Sequence, residues 1–180
     1  MTLTDIEYKE FLRTHLDLLF YVGKRLKIIS TDITFDKFVD LDLKMKAECR
    51  DRLIENDKFI DDYLSLNFDR LTTEQISILT GFKKKITGDF IIYKCLTNFA
   101  VFLNTKNNKF YAVKALGDRF DEFFDRFPIL IKATILPYKD KIIYDGFIKS
   151  TGVYFGSGTT STIKDDYMEA KKQNSILTTI

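Results

Sequence analysis

Residues 129–158 read ILIKATILPYKDKIIYDGFIKSTGVYFGSG. Two apolar runs, 129–136 and 142–148, flank Pro137-Tyr138-Lys139-Asp140. Both runs are rich in Ile, Phe and Tyr, residues that suit a pleated, half-buried surface. Pro137 sets its own φ and Asp140 can bond back to the reversing chain, so these four residues predict a turn. The stretch therefore predicts a β-hairpin at the centre of a sheet. Gly146 interrupts the second strand and marks a bulge there. Residues 153–155 predict a last short strand.

The strand pattern extends back to Gly88. Residues 90–96 and 99–104 predict strands joined at Thr97-Asn98, and Asn107-Asn108 predicts a hairpin to a strand at 109–116, because Asn tolerates positive φ. Gly117-Asp118 opens a short helix through Phe120, Phe123 and Phe124 that Pro128 stops. Before Gly88 the period is helical. Thr4 with Glu7, and Thr72 with Gln75, form capping boxes. Tyr8, Phe11, Leu12, Leu16, Leu19 and Val22 make one face of a helix ending near Gly23. Phe38, Leu41, Met45, Cys49 and Leu53 predict one helix capped by Thr34, and Asp57 caps a third. The helix opened by Thr72 stops at Gly88. Past the hairpin, Thr162 caps a closing helix through Tyr167 and Ala170, and the apolar tail 176–180 docks. Helices first, then strands, then a closing helix is an α+β order. The expected architecture is N-terminal helices packed on a mainly antiparallel sheet of five or six strands, a meander or a partly closed barrel. Two subdomains, 1–87 and 88–180, share one compact unit.

Composition narrows the classes. The 180 residues suit one domain or two small subdomains. With no Trp, 17 Phe and 9 Tyr predict a core filled by phenyl rings. Residues 1–87 carry 15 Lys/Arg against 16 Asp/Glu, and 88–180 carry 13 against 10, so neither half demands nucleic acid or a membrane surface. Cys49 and Cys95 stand apart, which favours a reducing compartment. The start has no signal-peptide pattern and no apolar run reaches membrane-span length, so a cytoplasmic location is expected.

The run Leu136-Pro-Tyr-Lys-Asp-Lys-Ile-Ile-Tyr-Asp-Gly146, with Tyr154-Phe-Gly-Ser-Gly158, Tyr167 and Ala170-Lys171, resembles a pattern in small prokaryotic proteins to which no activity is assigned. The likeness extends to the upstream strands 90–103 and the helix before them. It implies a prokaryotic or phage origin and implies no chemistry.

The chemistry-bearing residues are sparse. His15 is the only histidine and lies on the apolar face of the first helix, where a core-edge role outweighs catalysis. His15, Cys49 and Cys95 lack zinc-ligand spacing. Asp118, Asp121, Glu122 and Asp125, and likewise Asp165, Asp166 and Glu169, read as solvated helix faces rather than metal sites. Glu169-Ala170-Lys171 has the acid-x-Lys spacing of a nuclease but sits on a predicted helix. Gly156, Gly158 and Thr159 precede that helix. They are candidates for cradling an anion through free amides, with Lys139, Lys141 and Lys164 beside them. There is no GKS or GKT, so this is not a P-loop. Lys83, Lys84 and Lys85, with Lys94 and the aromatics Tyr93 and Tyr111, are the candidates for a nucleic-acid patch.

These residues favour a non-catalytic interaction protein, prokaryotic or phage, that binds a macromolecular partner. Protein stands ahead of nucleic acid as that partner, a homo-oligomer is compatible, and no membrane, metal or cofactor is expected. The alternative is a small enzyme or nucleotide- or anion-binding protein. Its pocket would lie between sheet and closing helix, lined by Lys139, Lys141, Tyr144, Asp145, Tyr154, Gly156, Gly158 and Thr159.

Overall fold

The computed structural model describes residues 2–180, and among them stand seven α-helices and five strands of an α+β protein. The chain divides into a helical unit, Ile6–Lys83, and a second unit made of residues 2–5 with Lys84–Ile180.

The helical unit contains α1 (Asp5–Arg25), α2 (Phe35–Val39), α3 (Leu43–Glu55), α4 (Lys58–Asn67), a 3-10 turn at Phe68–Arg70, and α5 (Thr73–Gly81). The single helix expected after Thr34 is two. The Thr34 hydroxyl accepts from the Lys37 amide to start α2, and the Asp42 carboxylate accepts from the Lys44 amide at 2.8 Å to start α3. A side chain that captures main-chain donors begins a helix afresh. The apolar spacing runs unbroken across that restart and hides it. Asn56, rather than Asp57, bonds the Lys58 amide at the start of α4. The Thr72–Gln75 capping box forms in both directions, at 3.2 and 2.9 Å. Phe82 stacks on Phe11, and His15 lies 4.7 Å from the Phe82 ring, buried as a core histidine.

The second unit is a barrel. Its elements are β1 (Ile86–Cys95), β2 (Ala100–Asn104), β3 (Phe110–Lys114), α6 (Phe120–Phe123), β4 (Ile129–Tyr138), β5 (Lys141–Tyr154) and α7 (Ser157–Lys172). The strands run β1-β2-β3-β5-β4, and β1 pairs with β4 to close the ring. Among these five strands every pairing is antiparallel except β3 with β5, which is parallel through Val113↔Ile142 and Lys114↔Ile143. That pair makes the sheet a barrel rather than a meander. Strand pairing already begins at Ile86, and Gly88 lies inside β1 opposite Ala133. The change of period thus precedes the glycine.

Phenyl rings fill the interior. Phe90 meets Phe102 and Tyr111, Phe102 meets Phe120 from α6, and Phe120 meets Tyr144 at 5.2 Å. The outer face of β1–β3 is equally apolar. Ile91, Tyr93, Val101, Leu103 and Phe110 pack there with Ile163 and Tyr167 of α7. This two-sided burial explains why β2 is buried along its whole length.

The hairpin of β4 and β5 differs from expectation at its tip. Pro137 sits inside β4 opposite Ile142, and the turn is Lys139-Asp140 alone, with Lys139 at φ 53°. Two-residue hairpins need positive φ, and Lys139 supplies it without a glycine. The strand expected at 153–155 is the end of β5 itself. The bulge expected at Gly146 is present: residues 144–148 of β5 span only Ile135–Ala133 of β4, and Gly146 has φ 95°.

Candidate functional site

The residues chosen from the sequence do not form one pocket. Lys139 and Lys141 stand at the hairpin tip, where Lys141 lies 3.8 Å from Asp140. Tyr144 and Asp145 are buried at the bulge, and the Asp145 carboxylate accepts from the Phe147 amide at 3.1 Å. Asp145, 1% exposed, thus braces the bend in β5. Tyr154 pairs with Ile129 at the far end of the hairpin, with the Arg126 guanidinium over its ring. From Tyr138 to Ile129, β4 spans about 30 Å of strand at ordinary rise, so tip and far end are separate places. Gly156 caps α7, and Gly158 and Thr159 belong to its first turn rather than to a loop. Residues 157–162 are helical because Gly156, not Thr162, starts the helix.

The basic candidates are scattered too. Lys83 is paired to Asp61 at 2.7 Å. Lys85 precedes β1 and lines a surface recess of about 440 Å³ with Asp89 and Asn104–Asn107. Lys94 sits near the opposite end of β1, so Lys85 and Lys94 do not share a patch. Lys94 has other company. Its ammonium lies 4.1 Å from the Tyr167 ring and 5.0 Å from the Tyr93 ring. Burial pushes its pKa down, and Lys171 and Lys164 nearby push the same way. Lys164 and Lys171 bracket Tyr167 on α7, so these three lysines form one basic flank.

The opposite flank of α7 borders a groove that the sequence reading did not name as a site. It encloses about 630 Å³ between α7 and the start of β3. Leu103, Phe110, Ala170 and Leu177 line it with apolar surface, and Asp166, Glu169, Gln173, Asn108, Lys109 and Ser175 supply the polar rim. The helical period places these groups. Ile163, Tyr167 and Ala170 face the sheet, which leaves Asp166, Glu169 and Gln173 as the neighbouring stripe. The Gln173 amide donates to Glu169 at 2.6 Å. Asp166 makes no ion pair among the described residues.

The groove's other wall is the chain's own tail. α7 ends in a Schellman motif: the Ser175 amide bonds Ala170 O, the Asn174 amide bonds Lys171 O, and Asn174 takes φ 51°. This turn sends residues 175–178 back along β3. The Leu177 amide donates to Phe110 O at 2.9 Å, and the Ala112 amide donates to Leu177 O at 2.8 Å. Leu177 thereby pairs in parallel with Tyr111, on the edge of β3 that β5 leaves open. The acidic triplet Asp165, Asp166 and Glu169 was visible in the sequence. The fold adds the apolar floor beside it and the strand edge that the tail occupies.

Nothing in the helices is long and apolar enough to cross a membrane among the described residues. Among the same residues no cluster of three or more His, Cys, Asp or Glu is placed to hold a metal ion. Burial holds Cys49 up at about 11, with Glu48 adding to it, and Cys95 at about 12, with Asp121 adding to it, so neither thiol is an activated nucleophile. No family model, no curated protein and no solved structure matches the chain.

Proposed function

We propose that the chain is a non-catalytic binding protein that takes a macromolecular partner, a protein, in the groove between α7 and β3. One observation carries this reading: main chain from residue 177 is already held there by the open edge of β3, through one donated and one accepted bond. A strand edge that pairs one polypeptide segment offers the same bonds to another. An apolar floor inside a polar rim is also the anatomy of a protein interface. A prokaryotic or phage source and a cytoplasmic setting belong to the same proposal. The resemblance of residues 136–146 and 154–158 supports the first, and the two unpaired thiols support the second.

The test is affinity capture from the native host with quantitative mass spectrometry. The double variant Asp166→Arg, Gln173→Trp changes two exposed groove residues, and Lys149→Glu alters an exposed site on β5 as the control. A partner held by the wild type and the control, and lost by the groove variant, is the expected result. Identical partner sets for all three contradict the proposal.

A second reading, binding of single-stranded nucleic acid, is favoured by the Lys94, Lys164 and Lys171 flank around Tyr93 and Tyr167. Cations beside aromatic rings suit a phosphate backbone and its bases. Retention of a labelled oligothymidine at low salt, lost in Lys164→Glu, Lys171→Glu, supports it. No retention even at low salt ends it.

A further inference from the structure

We propose that the groove takes a basic polypeptide in extended form, added as a parallel strand along residues 110–112 of β3 in place of this chain's own residues 176–178. The inference rests on the groove being the partner site and adds the partner's chemistry and its competitor. The backbone requirement is explicit. Phe110 O needs a donor and the Ala112 amide needs an acceptor, and both come from a single residue, Leu177. Any extended chain in the same register supplies the same two groups.

The side-chain requirement follows from register. Leu177 lies beside Tyr111 in a parallel pair, so Ile176 lies beside Phe110 and packs with it on the face turned to α7, and a residue two places before Ile176 shares that face. Asp166 and Glu169 border the groove on the α7 side, two carboxylates against one lining cation, Lys109. The chain itself places the neutral Asn174 at that position, so the tail brings no cation to the two carboxylates. A partner with lysine or arginine just before its apolar anchor gains what the tail lacks. The tail is held by two main-chain bonds, with Ile176 and Leu177 only partly buried, so it is a displaceable occupant. The tail then acts as a built-in competitor that a neutral or acidic peptide does not overcome.

Three labelled synthetic peptides test this by fluorescence anisotropy on the full chain. One copies residues 174–180 as NSILTTI, one begins with two lysines as KKILTTI, and one begins with two glutamates as EEILTTI. The lysine peptide is expected to bind most tightly. Its affinity should rise about tenfold on Leu177→Pro, which removes the amide that holds the tail and so frees the slot. In Asp166→Lys, Glu169→Lys the order of lysine and glutamate peptides should invert. Hydrogen exchange on the unaltered chain gives a second readout that needs no variant. Saturating lysine peptide should speed exchange of the Leu177 amide while the Ala112 amide stays protected, because the peptide takes over that bond. Equal affinities for the lysine and glutamate peptides overturn the inference, as do unchanged exchange rates at Leu177. Tightest binding of NSILTTI also overturns it and assigns the slot to the tail of a second copy. If capture of the partner depends on Asp166 and Gln173 while all three peptides fail, the groove proposal stands and the extended basic mode falls.

Discussion

Gly23 shows how closely two helices of the Ile6–Lys83 unit approach. A Cβ at this position would lie 2.8 Å from Cys49 Sγ and 3.1 Å from Ile29. Overpacking of that kind costs about 1–3 kcal/mol, and replacing a helical glycine by alanine returns about 1 kcal/mol. Gly23→Ala should therefore destabilise the unit by up to about 2 kcal/mol. The penalty should shrink on a Cys49→Ala background, a coupling readable by denaturant unfolding. Equal penalties on both backgrounds would mean that the sulfur is not the obstacle. Cys49 also makes a pH prediction. Burial raises its thiol from 9.0 to about 11, so the folded state keeps the proton that the unfolded chain loses first. The associated stability is complete below about pH 9 and drains as pH climbs towards 11. Cys49→Ala should lose less stability than the wild type between about pH 8 and pH 10 in equilibrium unfolding. Parallel curves would refute the burial argument. Asp145 marks the limit of residue-level reading: beside Lys141 and Tyr144 it looked like a pocket acid, and in the fold it ties the Phe147 amide into a bulge. Its partner was two places along the chain, a distance too short to distinguish a turn brace from a catalytic group.

Strand β5 is the element that makes the barrel close. It is the longest strand, and its pairing with β4 slips twice, once around Gly146 and once around Gly152. Both glycines have positive φ, 95° and 73°. Bulges of this sort bend and coil a strand so that it can pair along two directions. Alanine in a left-handed conformation costs about 1–2 kcal/mol. Gly146→Ala and Gly152→Ala should each lower stability by that amount, and Gly146→Ala should add a contact with Leu116, whose Cδ1 lies 3.4 Å from the new Cβ. Thermal melting checks both; a neutral Gly152→Ala would mean that the second slip tolerates an ordinary backbone. Gly146 was legible in the sequence because a glycine inside an apolar strand has few other reasons to be there. Pro137 was misleading because proline fits a turn and also fits a strand position whose amide is not needed. The restart at Asp42 and the start of α7 at Gly156 were concealed for one reason: apolar spacing shows which face is buried, and says little about where the main-chain bonds begin.

The whole molecule joins two kinds of order: helices whose contacts are local, and a barrel whose contacts are not. The α+β class and the strand identities followed from periodicity, since side chains recurring at three and four, then at two, leave little choice. The ring closure did not, because a parallel pair of Val113 with Ile142 links segments whose sequences carry no mark of each other. The groove was hidden for the same reason. Its floor comes from residues 103–110 of β2 and β3, and its acidic wall and far side from residues 166–177 of α7 and the tail, two stretches far apart in sequence that the packing of α7 on the sheet brings together. The proposed binding mode depends on the bridge that Leu177 makes with Tyr111 at the edge of β3. A nuclear Overhauser spectrum of the full chain tests that most directly. Cross-peaks between the backbones of Leu177 and Tyr111 are expected, together with slow exchange of the Leu177 and Ala112 amides. A tail with no such cross-peaks, and a Leu177 amide exchanging as fast as in a free peptide, would contradict it.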